Sequence, residues 1–181
     1  MQFNHDNMPG VRLAGELVNM LDAGTWEIAA LEDLLARYLF RQAGLGPAAA
    51  RELGEWAARL RPVFGAPDED ARCAAANSLL DQGVRRVFLT THDGMLPHLH
   101  FADTGDSVVE RVRAMPAGGL AVFIAEAGGP RLGTCARTGC GRVFADTSRG
   151  GRRAYCSARC GNADAVRRYR DRRSPVQRRA R

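Results

Sequence analysis

Cys135-Ala136-Arg137-Thr138-Gly139-Cys140 is followed, after fifteen intervening residues, by Cys156-Ser157-Ala158-Arg159-Cys160. Two close cysteine pairs at this separation suit one tetrahedral ion held by four thiolates. The ion expected is a single structural zinc, held by Cys135, Cys140, Cys156 and Cys160. Four thiolates leave no open position for catalysis. The fifth cysteine, Cys73, stands apart and reads as a small core residue. An odd cysteine count without a secretory pattern argues against a disulfide framework, though oxidation of the pairs as a thiol switch is a second reading.

Working outward from the cysteines, Gly139 and Gly141 suit a knuckle that wraps the metal. Arg142-Val143-Phe144 and Arg153-Ala154-Tyr155 are expected to pair as a small hairpin, with residues 147–151 as its turn. Cys156 to Cys160 then opens a helix, where an i, i+4 pair puts both sulfurs on one face. Knuckle, hairpin and helix in that order make a treble-clef-like arrangement. Phe144, Tyr155, Val166 and Tyr169 are the expected mini-core, with Val166 and Tyr169 resting on the module. So few apolar residues could hardly fold without metal.

Charge sharpens the division of the chain. Residues 1–130 carry 11 Arg and 17 Asp plus Glu, whereas residues 131–181 carry 15 Arg and 3 Asp. The chain has no lysine, so compositional bias explains the choice of arginine but not its collection at one end. A basic arm on an acidic body favours a polyanion, because neutralised phosphates release counterions. The candidate nucleic-acid contacts are Arg152, Arg153, Arg159, Arg167, Arg168, Arg170, Arg172 and Arg173, with Arg178, Arg179 and Arg181 behind them. Arg152, Arg153 and Arg159 also lie where they could offset the negative zinc-thiolate centre.

The 181 residues, 45% of them hydrophobic, allow one medium domain with a small appendage. Helical periodicity marks Val11–Asp22, Leu31–Gln42 and Ala48–Leu60, and Asp68 is placed to cap a fourth helix running to Asp81. Arg86–Thr91 and Leu96–Phe101 read as a hairpin around His92-Asp93-Gly94-Met95. Ser107–Ala127 is helical again, with breaks expected at Met115-Pro116 and Gly118-Gly119. Gly128-Gly129-Pro130 is the linker. The fold class expected is mainly α with one small β-hairpin over residues 1–130, plus a treble-clef-like zinc finger over residues 131–181.

The cysteine region has a recognisable relative. Cys140-Gly141-Arg142-Val143-Phe144-Ala145-Asp146-Thr147-Ser148, Arg152-Arg153-Ala154-Tyr155-Cys156-Ser157 and Cys160-Gly161-Asn162 together resemble the CGNR zinc-finger family of bacteria. Leu17-Val18-Asn19 with Leu21-Asp22, and Asp33-Leu34-Leu35, are similar to the helical ABATE domain that precedes that finger. The resemblance implies a DNA-binding transcription regulator whose N-terminal domain senses a small molecule or stress signal. The sequence departs from the family at Ala163, where an arginine is usual, at Asp164 and Ala165, at Tyr155 in place of tryptophan, and at Met20 in place of threonine. Loss of the arginine at Ala163 implies either weaker DNA affinity or compensation by Arg167, Arg168 and Arg170.

Other constellations are weaker. His98-x-His100 on one strand can be half of a second metal site, with His92 and Asp93 near, but ordinary hairpin residues are the commoner reading. Asn19 inside an apolar helix suits an internal hydrogen bond more than a ligand contact. Trp26, Tyr38, Phe40 and Trp56 read as core. No phosphate loop, nucleophile–base pair or catalytic carboxylate pair is present, so no enzyme is expected. The N-terminal residues lack a signal-peptide pattern and no apolar run suits a membrane helix, which leads to the expectation of a soluble cytoplasmic protein with no membrane partner. Homodimerisation is the expected remedy for a finger that contacts little DNA alone. A protein-interaction adaptor and a redox sensor are the alternative functions.

Overall fold

The computed structural model describes residues 8–38, 40, 44–91, 96–127 and 130–173. The expected turn at 92–95, the expected linker glycines 128 and 129, residues 39, 41 and 42 of the expected helix Leu31–Gln42, residue 43, and residues from 174 onward lie outside the described residues. Helices α1 (Met8–Asp22), α2 (Ile28–Ala36), α3 (Pro47–Gly65) and α4 (Glu69–Gly83) come first. They are followed by the hairpin β1 (Phe88–Thr90) and β2 (His98–His100), and by α5 (Val108–Ala127). The last elements are β3 (Leu132–Thr134), β4 (Val143–Ala145) and α6 (Ala158–Arg173). The architecture is mainly helical with two small antiparallel hairpins, β1–β2 and β3–β4.

Local chemistry fixes several boundaries. Asp68 accepts the Ala71 N–H at 2.8 Å and caps α4, as the sequence predicts. Ser107 and Glu110 form a reciprocal capping box at α5: the Glu110 N–H donates to Ser107 Oγ at 3.2 Å, and the Ser107 N–H to Glu110 Oε2 at 2.9 Å. Pro47 sits in the first turn of α3, where no N–H is needed. No helix among the described residues is long and apolar enough to cross a membrane.

The expected break in α5 is a correction. The helix runs unbroken through Pro116, Gly118 and Gly119. These glycines serve close packing rather than termination. A Cβ on Gly118 would stand 2.1 Å from the Phe101 ring, which therefore seats the end of β2 against α5. On the facing helix, a Cβ on Gly10 would stand 2.3 Å from the Met115 carbonyl oxygen. Small residues let α1 and α5 cross with their backbones nearly touching.

The core is built from Leu13, Leu17, Leu31, Leu34, Leu35, Leu53, Trp56, Leu60 and Leu120, all essentially inaccessible. Each such side chain contributes roughly 1.5–3 kcal/mol relative to exposure. Phe40 is buried with them, and Trp26 and Tyr38 pack at the margin. Cys73 is exposed on α4, not in the core as expected, because the buried face of that helix is carried by Arg72, Ala76 and Leu79. Leu132 of β3 and Val143 of β4 belong to the same apolar cluster as α1 and α3. The second hairpin thus lies against the helical body.

Candidate metal centre and basic helix

β3 and β4 pair antiparallel, with Leu132 opposite Ala145, Gly133 opposite Phe144 and Thr134 opposite Val143. The sequence had led us to expect residues 142–144 to pair with 153–155, and that is corrected. Val143–Ala145 is a strand, but its partner precedes the knuckle instead of following it. The knuckle Cys135–Cys140 therefore sits at the tip of the hairpin. The Cys135 N–H donates to the Arg142 carbonyl at 2.8 Å, and the Ala136 N–H to the Ala154 carbonyl at 2.8 Å. The latter bond brings the returning chain, and with it Cys156, back over the knuckle. Gly139 and Gly141 take positive φ, 76° and 65°, in this tight turn.

Buried Asp146 organises the loop between β4 and α6. Its carboxylate accepts the Ser148 N–H at 2.8 Å and the Arg153 N–H at 2.7 Å. Burial pushes its pKa up, but these bonds and the Arg131 guanidinium outweigh that and hold the carboxyl below its ordinary value. Ser157 starts α6 by accepting the Cys160 N–H at 3.2 Å.

The four cysteines converge. All four sulfurs lie within 4.8 Å of one another. Cys140 Sγ is 3.8 Å from that of Cys156 and 3.7 Å from that of Cys160, and Cys156 and Cys160 are 3.5 Å apart. A tetrahedral ion with metal–sulfur bonds of about 2.3 Å requires sulfurs about 3.8 Å apart. The separations among Cys140, Cys156 and Cys160 match that value and Cys135 closes the set within 4.8 Å, so the cluster is a single structural zinc site. The ion supplies the cross-link between knuckle and helix. Without metal the thiols ionise unevenly. Burial, then hydrogen bonding with Cys160, pushes Cys156 up to about 12. Hydrogen bonds from Ser157, then Arg137, pull Cys160 down to about 6. Arg137, which the sequence reading did not single out, donates from Nη1 to Cys160 Sγ at 3.7 Å. Its place inside the first cysteine pair was the available signal.

The structure divides the expected nucleic-acid contacts. Arg152, Arg159, Arg170 and Arg172 are exposed. Arg153 is exposed too, but its guanidinium turns back to the Tyr155 and Cys156 carbonyls and lies 5.4 Å from the Phe144 ring centre. Arg167 pairs with Asp164 at 2.9 Å and Asp171 at 3.3 Å, and Arg168 pairs with Asp164 at 3.1 Å. Arg173 ends α6, and its side chain lies outside the described residues. Asp164 is buried and also accepts the Tyr155 hydroxyl at 2.9 Å. Hydrogen bonds from Arg167 and then Tyr155 hold its carboxyl below the ordinary value.

Val166 and Tyr169 do not rest on the module. They are 49% and 52% exposed. Cys160 must face the metal, and at about 100° per residue Tyr169 then stands on the opposite side of α6. Asp164 follows Cys160 on the inner face. The outer face carries Arg159, Asn162, Val166, Tyr169 and Arg170, all exposed.

The hairpin is locked to the body by polar groups from the helices. Asn19 of α1 donates from Nδ2 to the Val143 carbonyl at 3.1 Å and accepts the Val143 N–H on Oδ1 at 2.9 Å. It acts as a one-residue substitute for a third strand. Buried Arg72 donates to the Val63 carbonyl at 2.8 Å and the Leu132 carbonyl at 3.3 Å. Arg61 pairs with Asp22 and reaches the Gly141 carbonyl at 3.4 Å.

Knuckle, hairpin and helix with four convergent thiols define a zinc finger. Residues 131–173 match the family model described as CGNR zinc finger. No curated protein sequence matches the chain.

Proposed function

We propose that the chain is a DNA-binding transcription regulator, not an enzyme. The zinc finger presents α6 to the duplex, and the N-terminal helical body, similar to an ABATE domain, senses a signal and pairs two copies. The observation that carries this reading is charge segregation that survives folding. Among the described residues, the ion pairs Glu16–Arg37, Asp22–Arg61, Glu52–Arg113, Glu69–Arg72 and Glu110–Arg85 join body to body. Those of Asp164 and Asp171 join module to module. These pairs keep acidic and basic partners within the same half of the chain, which favours a polyanion as the partner of the basic arm.

The chemistry of the outer face of α6 favours duplex DNA. Arginine matches the guanine edge, asparagine the adenine edge, and valine offers an apolar contact to a thymine methyl. Arg159, Asn162, Val166 and Arg170 carry those groups on one face, with Arg152, Arg172 and Arg173 near enough in sequence to add phosphate contacts. Arg153, Arg167 and Arg168 hold the module together first. Zinc-loaded protein titrated with duplex DNA at several salt concentrations tests the reading. Binding should fall steeply with salt, and Arg152→Ala, which removes a phosphate contact, should lower the log–log slope by about 1. Binding no tighter than that of an unrelated basic peptide overturns it.

A further inference from the structure

We propose a second metal-binding site, formed by His98 and His100 on β2 and distinct from the four-cysteine centre. Alternation along the strand puts both imidazoles on one face, while Leu99 between them is exposed on the other. Their Nε2 atoms are 3.0 Å apart, and the ring centres 4.9 Å.

The protonation pattern follows from the partners. His98 is buried, and its Nδ1 lies 2.9 Å from the Leu96 carbonyl oxygen. A carbonyl only accepts, so Nδ1 donates to it, and in the neutral ring Nε2 then carries the lone pair on the side that faces His100. A backbone carbonyl on one ring nitrogen and a lone pair on the other is the arrangement that orients histidine for a metal. Phe88, opposite His100 in the register, lies 5.6 Å from its ring and limits its rotation.

Two imidazole nitrogens on one tetrahedral ion, at about 2.05 Å each, would be about 3.3 Å apart. The pair needs to open by only a few tenths of an ångström. Ligation through both Nε2 atoms needs two neutral rings with their protons on Nδ1, and a proton held between the two Nε2 atoms leaves to solvent as the ion enters. Imidazole pairs suit zinc, nickel and copper rather than magnesium or calcium. Two neutral imidazoles hold an ion less firmly than four thiolates, so this site exchanges its ion more readily than the cysteine centre.

The test is calorimetric titration of the full chain, already loaded with its structural zinc, with Zn²⁺ and separately with Ni²⁺. Mg²⁺ is the control. One additional equivalent of Zn²⁺ or Ni²⁺ and no heat from Mg²⁺ are expected. His100→Gln, at a half-buried position, and His98→Gln should each weaken the additional equivalent at least about tenfold, while the structural zinc content stays unchanged. If the buried His98 variant does not fold, the His100 variant decides alone. No additional equivalent in the wild type, or one that His100→Gln leaves unweakened, overturns the proposal and leaves the two rings as a hydrogen-bonded pair.

Discussion

Replacing Asn19 by alanine removes both hydrogen bonds that hold β4 to α1. The Val143 N–H and carbonyl are bonded at 2.9 and 3.1 Å, and Asn19 and Val143 are both buried. Water does not easily take over there. Each buried backbone group left without a partner costs about 1–3 kcal/mol. Taking the lower half of that range for two groups gives a loss of about 2–4 kcal/mol. For a chain of this size, each kcal/mol lowers the melting temperature by about 2–4 °C, so a fall of about 4–16 °C is expected. Val143 is three residues from Cys140, so the same change should speed zinc transfer to a competing chelator. Thermal unfolding followed by circular dichroism reads the first effect, and a colorimetric chelator the second. Thr25→Ala is the control, since its exposed bond to the Met20 carbonyl should matter by no more than about 0.5 kcal/mol. An Asn19→Ala protein that melts with the control and releases zinc at the wild-type rate would refute the clamp.

Gly10→Ala should destabilise by about 1–3 kcal/mol or more, because its Cβ would meet the Met115 carbonyl oxygen, whereas Gly105→Ala, with nothing within 4 Å, should be nearly neutral; denaturant midpoints compare them. Arg137→Gln should lower zinc affinity about 10- to 100-fold in chelator competition without unfolding the exposed position, and unchanged affinity would show that its contact with Cys160 is incidental. Asp146 has a folded pKa below its unfolded value, so its contribution is complete well above the model-peptide value of 3.8 and is lost as pH falls through the folded value. Asp146→Asn should therefore be less stable than wild type at neutral pH, with the gap in urea midpoint narrowing as the pH falls through the folded value. A gap that stays constant with pH would remove the carboxylate charge from the explanation.

The helices of the body were legible because leucines recur at helical spacing and the cap at Asp68 is a local signal. The thiolate centre was legible because metal geometry constrains cysteine spacing. What failed were features set by tertiary neighbours. Gly118 and Gly119 read as helix breakers, since nothing local reveals that Phe101 and α1 press against α5 there. Leu132-Gly133-Thr134 is too short to announce a strand, so Val143–Ala145 was given the wrong partner. Val166 and Tyr169 were placed inside by hydrophobicity, when the phase of α6 was already fixed by Cys160. Asn19 was rightly read as an internal hydrogen-bonding group, but its partner 124 residues away could not be read from the sequence.

The manner in which the two halves join explains how both charge patterns survive. Asn19, Arg61 and Arg72 all belong to the body, and all address main-chain atoms of the module: Val143, Gly141 and Leu132. In the other direction, Arg131 donates to the Ala127 carbonyl at 3.1 Å, again a main-chain atom. Leu132 and Val143 add apolar contact. These contacts use the module's backbone, the Arg131 side chain and the buried Leu132 and Val143, and the ion pairs of Arg167 and Arg168 stay within α6. Had the halves joined by complementary charge, the arm would be neutralised wherever it touched the body, and salt would separate them. A main-chain interface instead fixes α6 relative to α1 and α3 while leaving its outer face exposed. Surface arginines on that face can then change without loosening the joint, whereas a change at Asn19 reaches the zinc.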